Sequence, residues 1–248
     1  MIKQRFGIYS DQRPVDSFGL PWIKREVQLA DLDAWLIKLD NKLCLDQNLI
    51  EGLAPLCLDF TEGKYAYRLK QTRSLKEPLA KACGLSKGRR PKIIDATAGL
   101  AQDSLLLAAM GSEVQMLEQH PLVYGLVFDA LQRAKAGPDW FAPIIERLKL
   151  WQGSSAEYLD SHCADVVYLD PMYPEHPQAK KAKVKKGMQI LRLLSGTETN
   201  TEQLFEAAHQ AATQRLVVKR PDWAESLSNI NPSTRIETKS HHFDIYLK

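Results

Sequence analysis

The chain has 248 residues, 44% apolar and 25% charged, which suits an ordinary globular protein with one large domain, or one domain and a smaller companion. No apolar run approaches the roughly 18 residues of a membrane span, and residues 1–6 open no apolar segment of signal-peptide type. A membrane-spanning helix is not expected, and the cytoplasm is the expected compartment. The net charge of +3 does not argue for a nucleic-acid partner, but residues 64–92 hold ten Lys or Arg against Glu77 alone, and residues 180–192 hold six with no acid. Two such blocks flanking one site suit a polyanionic substrate.

Residues 1–88 lack a βα rhythm and read as a small α+β extension. Leu36-Ile37-Lys38-Leu39 and Leu56-Cys57-Leu58-Asp59-Phe60 are expected as short strands, with turns at Asp40-Asn41 and Glu62-Gly63. Ser74-Leu75-Lys76-Glu77 matches a capping box opening a short helix with Leu75, Leu79 and Cys83 on its apolar face and Gly84 at its end. Arg68, Lys70, Arg73 and Lys76 are expected either to hold a phosphate backbone or merely to keep the surface soluble. The cysteines, Cys44, Cys57, Cys83 and Cys163, form no C-x-x-C pair and are expected as structural thiols, not as disulfides or zinc ligands. His241 and His242 are adjacent, hence on opposite faces of a strand, so no metal site is expected.

A regular alternation begins at Pro91. Strand Ile93-Ile94 leads through Asp95-Ala96-Thr97-Ala98-Gly99 into a helix with Leu105, Leu106, Leu107, Ala108 and Ala109 as its apolar body and Gly111 placed to cap it. Strand, small-residue turn and helix make the first unit of a nucleotide-binding domain, whose ligands lie at the carboxyl ends of parallel strands. One glycine, Gly99, does not make a dinucleotide fingerprint. Asp95 would repel a pyrophosphate and suits a cationic ligand such as S-adenosylmethionine, while Ala98 and Gly99 let the backbone approach it. The second strand, Glu113-Val114-Gln115-Met116-Leu117, ends on Glu118, 23 residues after Asp95, where such folds hold ribose hydroxyls. Pro121 starts a helix with an apolar stripe of Val123, Leu126, Val127, Ala130, Leu131 and Ala134.

The third strand, Leu148-Lys149-Leu150-Trp151, leads to Ser154 and Ser155, which offer donors to an adenine ring or cap the next helix. The fourth, Asp165-Val166-Val167-Tyr168-Leu169, delivers Asp170-Pro171-Met172-Tyr173. An exocyclic amine is a poor nucleophile because its lone pair is delocalised into the ring. Hydrogen bonds from it to the Asp170 carboxylate and the Pro171 carbonyl would localise and aim that lone pair, and Tyr173 would stack on the base. Lys180, Lys181, Lys183, Lys185 and Lys186 follow directly, suited to phosphate contacts. Helices are expected over residues 188–194 and 202–214. The fifth strand, Leu216-Val217-Val218-Lys219, runs into Arg220, and Lys219 and Arg220 complete the expected RNA contacts. Residues 235–239 and 242–247 read as a closing strand pair, the last with Phe243, Ile245 and Leu247 on one face.

The Asp170-Pro171-Met172-Tyr173 segment resembles the D-P-P-Y motif of amino-group methyltransferases. Together with Asp95-Ala96-Thr97-Ala98-Gly99-Leu100, Met116-Leu117-Glu118, Val217-Val218-Lys219-Arg220-Pro221 and Phe243-Asp244-Ile245-Tyr246, it makes the chain similar to the bacterial small-subunit ribosomal RNA methyltransferase J family. The resemblance implies a Class I, Rossmann-like methyltransferase with a seven-stranded, mostly parallel sheet over residues 89–248. It also implies S-adenosylmethionine as donor and the N2 amine of one guanosine in small-subunit RNA, free or in a particle, as acceptor. Donor contacts are implied at Gln102-Asp103, Glu118-Gln119, Ser154-Ser155 and Asp170. Gln102 stands where the family is expected to carry a basic residue. Two rival readings are an amino-group methyltransferase acting on DNA adenine N6 or a protein amide, and a non-catalytic RNA-binding module.

Overall fold

The computed structural model describes residues 5–24, 26–71, 75–173, 186–194 and 201–248. Ser74, Arg73, Lys180, Lys181, Lys183 and Lys185 lie outside them. The amino-terminal part contains strands β1 (Phe6–Tyr9), β2 (Trp22–Ile23), β3 (Ala34–Leu39), β4 (Lys42–Gln47) and β5 (Leu56–Cys57) in the order β2-β1-β3-β4-β5. The turn expected at Asp40-Asn41 closes the β3–β4 hairpin, with φ of 47° and 62° at these two residues. Positive φ at both central positions matches the twist of the flanking strands, and Asp and Asn tolerate it.

Helices α1 (Gly63–Gln71) and α2 (Pro78–Ala82) follow. α2 starts later than a capping box at Ser74 would place it: Glu77 is its N-cap without a side-chain cap bond, and Pro78 fills the first turn, where a missing N–H costs nothing. The cysteine expectation is corrected here. Cys44 and Cys57 are directly paired across β4 and β5 and form a disulfide, with their Cα atoms 4.3 Å apart. Opposed residues of an antiparallel pair fall within bonding reach. Cys83 and Cys163 are free thiols.

The larger part is built from β6 (Ile93–Asp95), α3 (Gln102–Ala109), β7 (Val114–Glu118), α4 (Pro121–Lys135), α5 (Ala142–Ile145), β8 (Leu148–Gln152), α6 (Ser155–Leu159), β9 (Ala164–Leu169), α7 (Lys186–Leu194), α8 (Thr201–Ala211), β10 (Ala212–Arg220), β11 (Thr234–Glu237) and β12 (His242–Leu247). Its sheet has seven strands in the order β11-β12-β10-β9-β6-β7-β8. β6 pairs in parallel with β7 and β9, β10 pairs in parallel with β9, and β12 is antiparallel to both β10 and β11. The strand order turns back between β6 and β9, and their carboxyl ends open a crevice.

Buried parallel strands need apolar residues on both faces, and Ile93 and Val166 face one core cluster while Ile94 and Val167 face the other. The α4 stripe is buried as expected: Val127, Ala130, Leu131 and Ala134 pack on the large sheet, and Leu122, Val123 and Leu126 pack on the amino-terminal sheet with Ile8, Leu36 and Leu45. Gly125 permits this docking, because a Cβ there would stand 2.7 Å from both Leu36 and Phe18 side-chain atoms. Two expectations shift. α8 stops at Ala211 and β10 begins at Ala212, ahead of the expected Leu216. β12 is buried on both faces, with His242, Asp244 and Tyr246 opposite Phe243 and Ile245, while Leu247 is exposed.

Candidate active site

A cavity of about 310 Å³ opens at the carboxyl ends of β6, β7 and β9, lined by Thr97, Gly99, Glu118, Gln119, Ser154, Ser155, Asp170 and Pro171 among polar and backbone groups. Leu117, Val123, Leu191, Leu194 and Leu204 supply apolar walls. The turn after β6 reaches the cavity through left-handed backbone at Gly99 (φ 50°) and Ala101 (φ 60°). Gly99 tolerates this conformation at little cost, whereas alanine is strained in it.

The Gly99 N–H donates to Glu118 Oε2 at 3.1 Å, and the His120 N–H donates to Glu118 Oε1 at 2.7 Å. Burial pushes the Glu118 carboxyl up to about 7 against these bonds. Burial also pulls His120 down to about 4, so its ring is neutral near pH 7 and its Nδ1 accepts the Leu122 N–H that opens α4. Ser154 lines the cavity and is also the N-cap of α6, accepting the Glu157 N–H. Ser155 Oγ donates to the Ala96 carbonyl at 2.7 Å.

Four expected donor contacts stand outside the cavity lining. Asp95 is buried, its carboxylate accepting the Thr97 N–H and the Ser104 hydroxyl, and burial pushes it up to about 7. It braces the turn from within, where the sequence suggested a group facing a cation. The Ala98 N–H is bonded to the Leu117 carbonyl, and the exposed Gln102 uses its carbonyl to accept the Tyr65 hydroxyl. Asp103 Oδ2 accepts the Tyr168 hydroxyl at 2.7 Å and the Lys219 ammonium at 2.8 Å.

Asp170 is held from two sides. Its N–H donates to Thr97 Oγ1 at 2.6 Å, and its Oδ2 accepts from Lys219 Nζ at 2.8 Å. Burial pushes the Asp170 carboxyl up to about 6 while the Lys219 charge pulls it down. Tyr173 follows on the same loop with its hydroxyl raised by burial, and the Trp223 ring stands edge-on to it at 6.5 Å. A carboxylate, the following backbone carbonyl and an aromatic ring at one strand end can together grip a planar amine.

The expected RNA contacts divide. Arg68 is half-exposed beside Glu77 at 3.6 Å, and Lys70 lies 6.0 Å over the Trp140 ring. Lys186 donates to the Pro55 carbonyl of the amino-terminal part. Lys219 and Arg220 turn inward, contrary to the expectation of phosphate contacts. Arg220 is buried, bonding Asp244 at 2.8 Å and the Ala224 carbonyl. Sequence reasoning missed Thr97, His120, Leu191, Leu204 and Trp223; only Thr97, inside the first turn, carried a local signal. Among the described residues, no group of three or more His, Cys, Asp or Glu could hold a metal ion, and no helix is long and apolar enough to cross a membrane.

A sheet of this order, with a cleft at its switch point bounded by an acidic strand end and an Asp-Pro-Met-Tyr loop, defines a nucleotide-cofactor enzyme of the methyltransferase class. A family model described as "Putative SAM-dependent methyltransferase" matches residues 23–248. A protein of Photobacterium profundum named ribosomal RNA small subunit methyltransferase J is 41% identical, over 100% of this chain and 91% of its own length. One of the same name from Vibrio parahaemolyticus is 43% identical over 96% and 95%. The crystal structure of a SAM-dependent methyltransferase from Neisseria gonorrhoeae superposes with a TM-score of 0.74 at 29% identity, covering 98% of this chain and 95% of that one. The chain belongs to the ribosomal RNA small subunit methyltransferase J family, and S-adenosylmethionine is its methyl donor.

Proposed function

We propose that this enzyme methylates the exocyclic N2 amine of a guanosine in small-subunit ribosomal RNA, acting in the cytoplasm. The observation that carries the reading is Asp170 in the lining of the cleft, its backbone N–H held by Thr97 and its carboxylate by Lys219, followed by Pro171 and Tyr173. The cleft chemistry fits the donor: Glu118 can accept ribose hydroxyls, Ser154 and Ser155 stand beside the apolar walls that would take the adenine, and Gly99 exposes backbone. When bound, the donor supplies a methyl group on a sulfonium.

The chain's own residues do the rest. Asp170 and the Pro171 carbonyl accept the two N–H bonds of the amine, which returns its lone pair to the nitrogen and fixes its direction. Tyr173 stacks on the guanine, which has to leave its own stack to reach a cleft of this depth. Once methylated, the nitrogen carries one proton too many, and the Asp170 carboxylate takes it up. Arg68, Lys70 and the lysines at 180, 181, 183 and 185, with Arg73, are assigned to the RNA backbone.

The test is transfer of labelled methyl to purified small-subunit RNA and to small-subunit particles, with DNA and protein acceptors alongside. Label is expected in RNA alone and absent with Asp170→Ala, whose donor affinity weakens only modestly. Label in DNA or protein, or turnover in the variant, would overturn the reading.

A further inference from the structure

Lys219 was expected on an RNA face, yet its ammonium lies 2.8 Å from Asp103 Oδ2 and 2.8 Å from Asp170 Oδ2. These three side chains come from the end of β10, the first turn of α3 and the loop after β9. Their side chains are 24%, 23% and 35% exposed, so water does not screen the charges as it would on an open surface. The Tyr168 hydroxyl fixes the shared Asp103 oxygen from beneath, and Thr97 fixes the Asp170 backbone.

We propose that Lys219 is a positioning residue of the transfer step: its ammonium, shared with Asp103, keeps the Asp170 carboxylate ionised and occupies one of its oxygens, leaving the other for the amine. The inference rests on the reading of Asp170 as the amine acceptor. A protonated Asp170 would present an O–H to the amine and could not draw density toward the nitrogen. Nor could it collect the proton that the methylated nitrogen sheds. The two carboxylates impose opposite demands on one cation, and the balance sets the charge on Asp170.

The surrounding groups agree with this assignment. Asp103 on α3 opposes ionisation of Asp170, Asp170 in turn raises Asp95 on β6, and Tyr168 on β9 and Tyr173 on the following loop are acids held neutral there. His241, between β11 and β12, is pulled down by burial and then by Lys219, and so adds no charge near pH 7. Lys219 is the cation paired with Asp103 and Asp170: burial pulls its ammonium down, but the two carboxylates outweigh that and leave it above its usual range.

The test follows the Asp170 carboxyl by ¹³C NMR titration in the whole protein, together with single-turnover methyl transfer and equilibrium donor binding. In Lys219→Gln the Asp170 titration is expected to move up from about 6 by about one pH unit or more, and transfer at pH 7 to slow through loss of the ionised form, about twofold for one unit and about tenfold for two. In Asp103→Asn, which frees the ammonium for one carboxylate, the titration is expected to move down. Lys219→Arg keeps the charge and should regain most of the rate. Donor affinity stays at its wild-type value in Lys219→Gln, whose side chain does not line the cavity. An unmoved Asp170 titration in both neutral variants, or a rate loss matched by loss of donor affinity, would overturn the proposal. If the wild type methylates no RNA, the functional reading fails, but the titrations still decide the role of Lys219.

Discussion

Replacing Glu118 with Gln isolates the charge at the end of β7 while keeping its shape. In the structure its two oxygens accept the Gly99 and His120 N–H groups at 3.1 and 2.7 Å. A bound ribose would add two hydroxyl donors to the same carboxylate. Gln retains one acceptor and turns the other into an NH₂, which faces either a backbone N–H or a ribose hydroxyl. Hydrogen bonds to a charged acceptor are worth about 1.5–3 kcal/mol each. Loss of one such bond, with a donor left facing a donor, comes to about 2–3 kcal/mol, or roughly 30- to 150-fold in Kd. The pH dependence has a definite sign. Burial pushes the Glu118 carboxyl up to about 7, and ribose hydroxyls favour its ionised form. Donor affinity of the wild type therefore rises between about pH 6 and pH 8, and that of Glu118→Gln stays flat. Isothermal titration calorimetry of the donor across this range is the assay. A variant that binds as tightly as the wild type, or keeps its pH slope, would refute the placement of the ribose at Glu118.

Other expectations come from the same geometry. Arg220→Met strips the Asp244 carboxylate of one buried partner and leaves Arg235 at 2.7 Å; the loss should be about 3 kcal/mol by urea unfolding, with RNA affinity of the folded variant unchanged. Asp95, pushed up to about 7 by burial, holds its proton more tightly folded than unfolded. Its contribution to stability is thus fully present below about pH 4 and lost as pH rises through about 7; thermal unfolding of Asp95→Asn should lack that share of the pH dependence and keep the shares of Glu118 and Asp170. Denaturing alkylation of protein kept from reductant should label the two free cysteines, Cys83 and Cys163, and spare Cys44 and Cys57; four labels would disprove the bridge.

The large sheet was legible because its strands announce themselves locally. Ile93-Ile94 and Val166-Val167-Tyr168-Leu169 are continuous apolar runs between turn residues, as buried parallel strands must be. The long stripe of α4 fixed the second crossover in the same way. The amino-terminal sheet was mostly hidden. β2 and β5 are two residues long, and β4 mixes Lys42 and Asp46 into its apolar pattern. With β4 unread, nothing could set Cys44 opposite Cys57.

In the site, Glu118, Ser154 and Asp170 were visible because each sits at a strand end beside a turn. Lys219 and Arg220 were misread because a basic pair after an apolar strand looks like surface. Their partners arrive from 116, 49 and 24 residues away in the chain. No local pattern encodes such pairings. Asp95 is the opposite case: its partners, Thr97 and Ser104, lie only 2 and 9 residues away, but an acid ending an apolar strand has the same local pattern whether it faces a ligand or braces its own turn.

The central claim is that this chain places a methyl group on the N2 amine of a small-subunit guanosine through Asp170. Nucleoside mass spectrometry of small-subunit RNA from cells with and without the gene tests it most directly. The account predicts that one N2-methylguanosine disappears with the gene, returns with the wild-type protein and stays absent with Asp170→Ala. An unchanged nucleoside profile on deletion, or restoration by the Asp170→Ala protein, would contradict it.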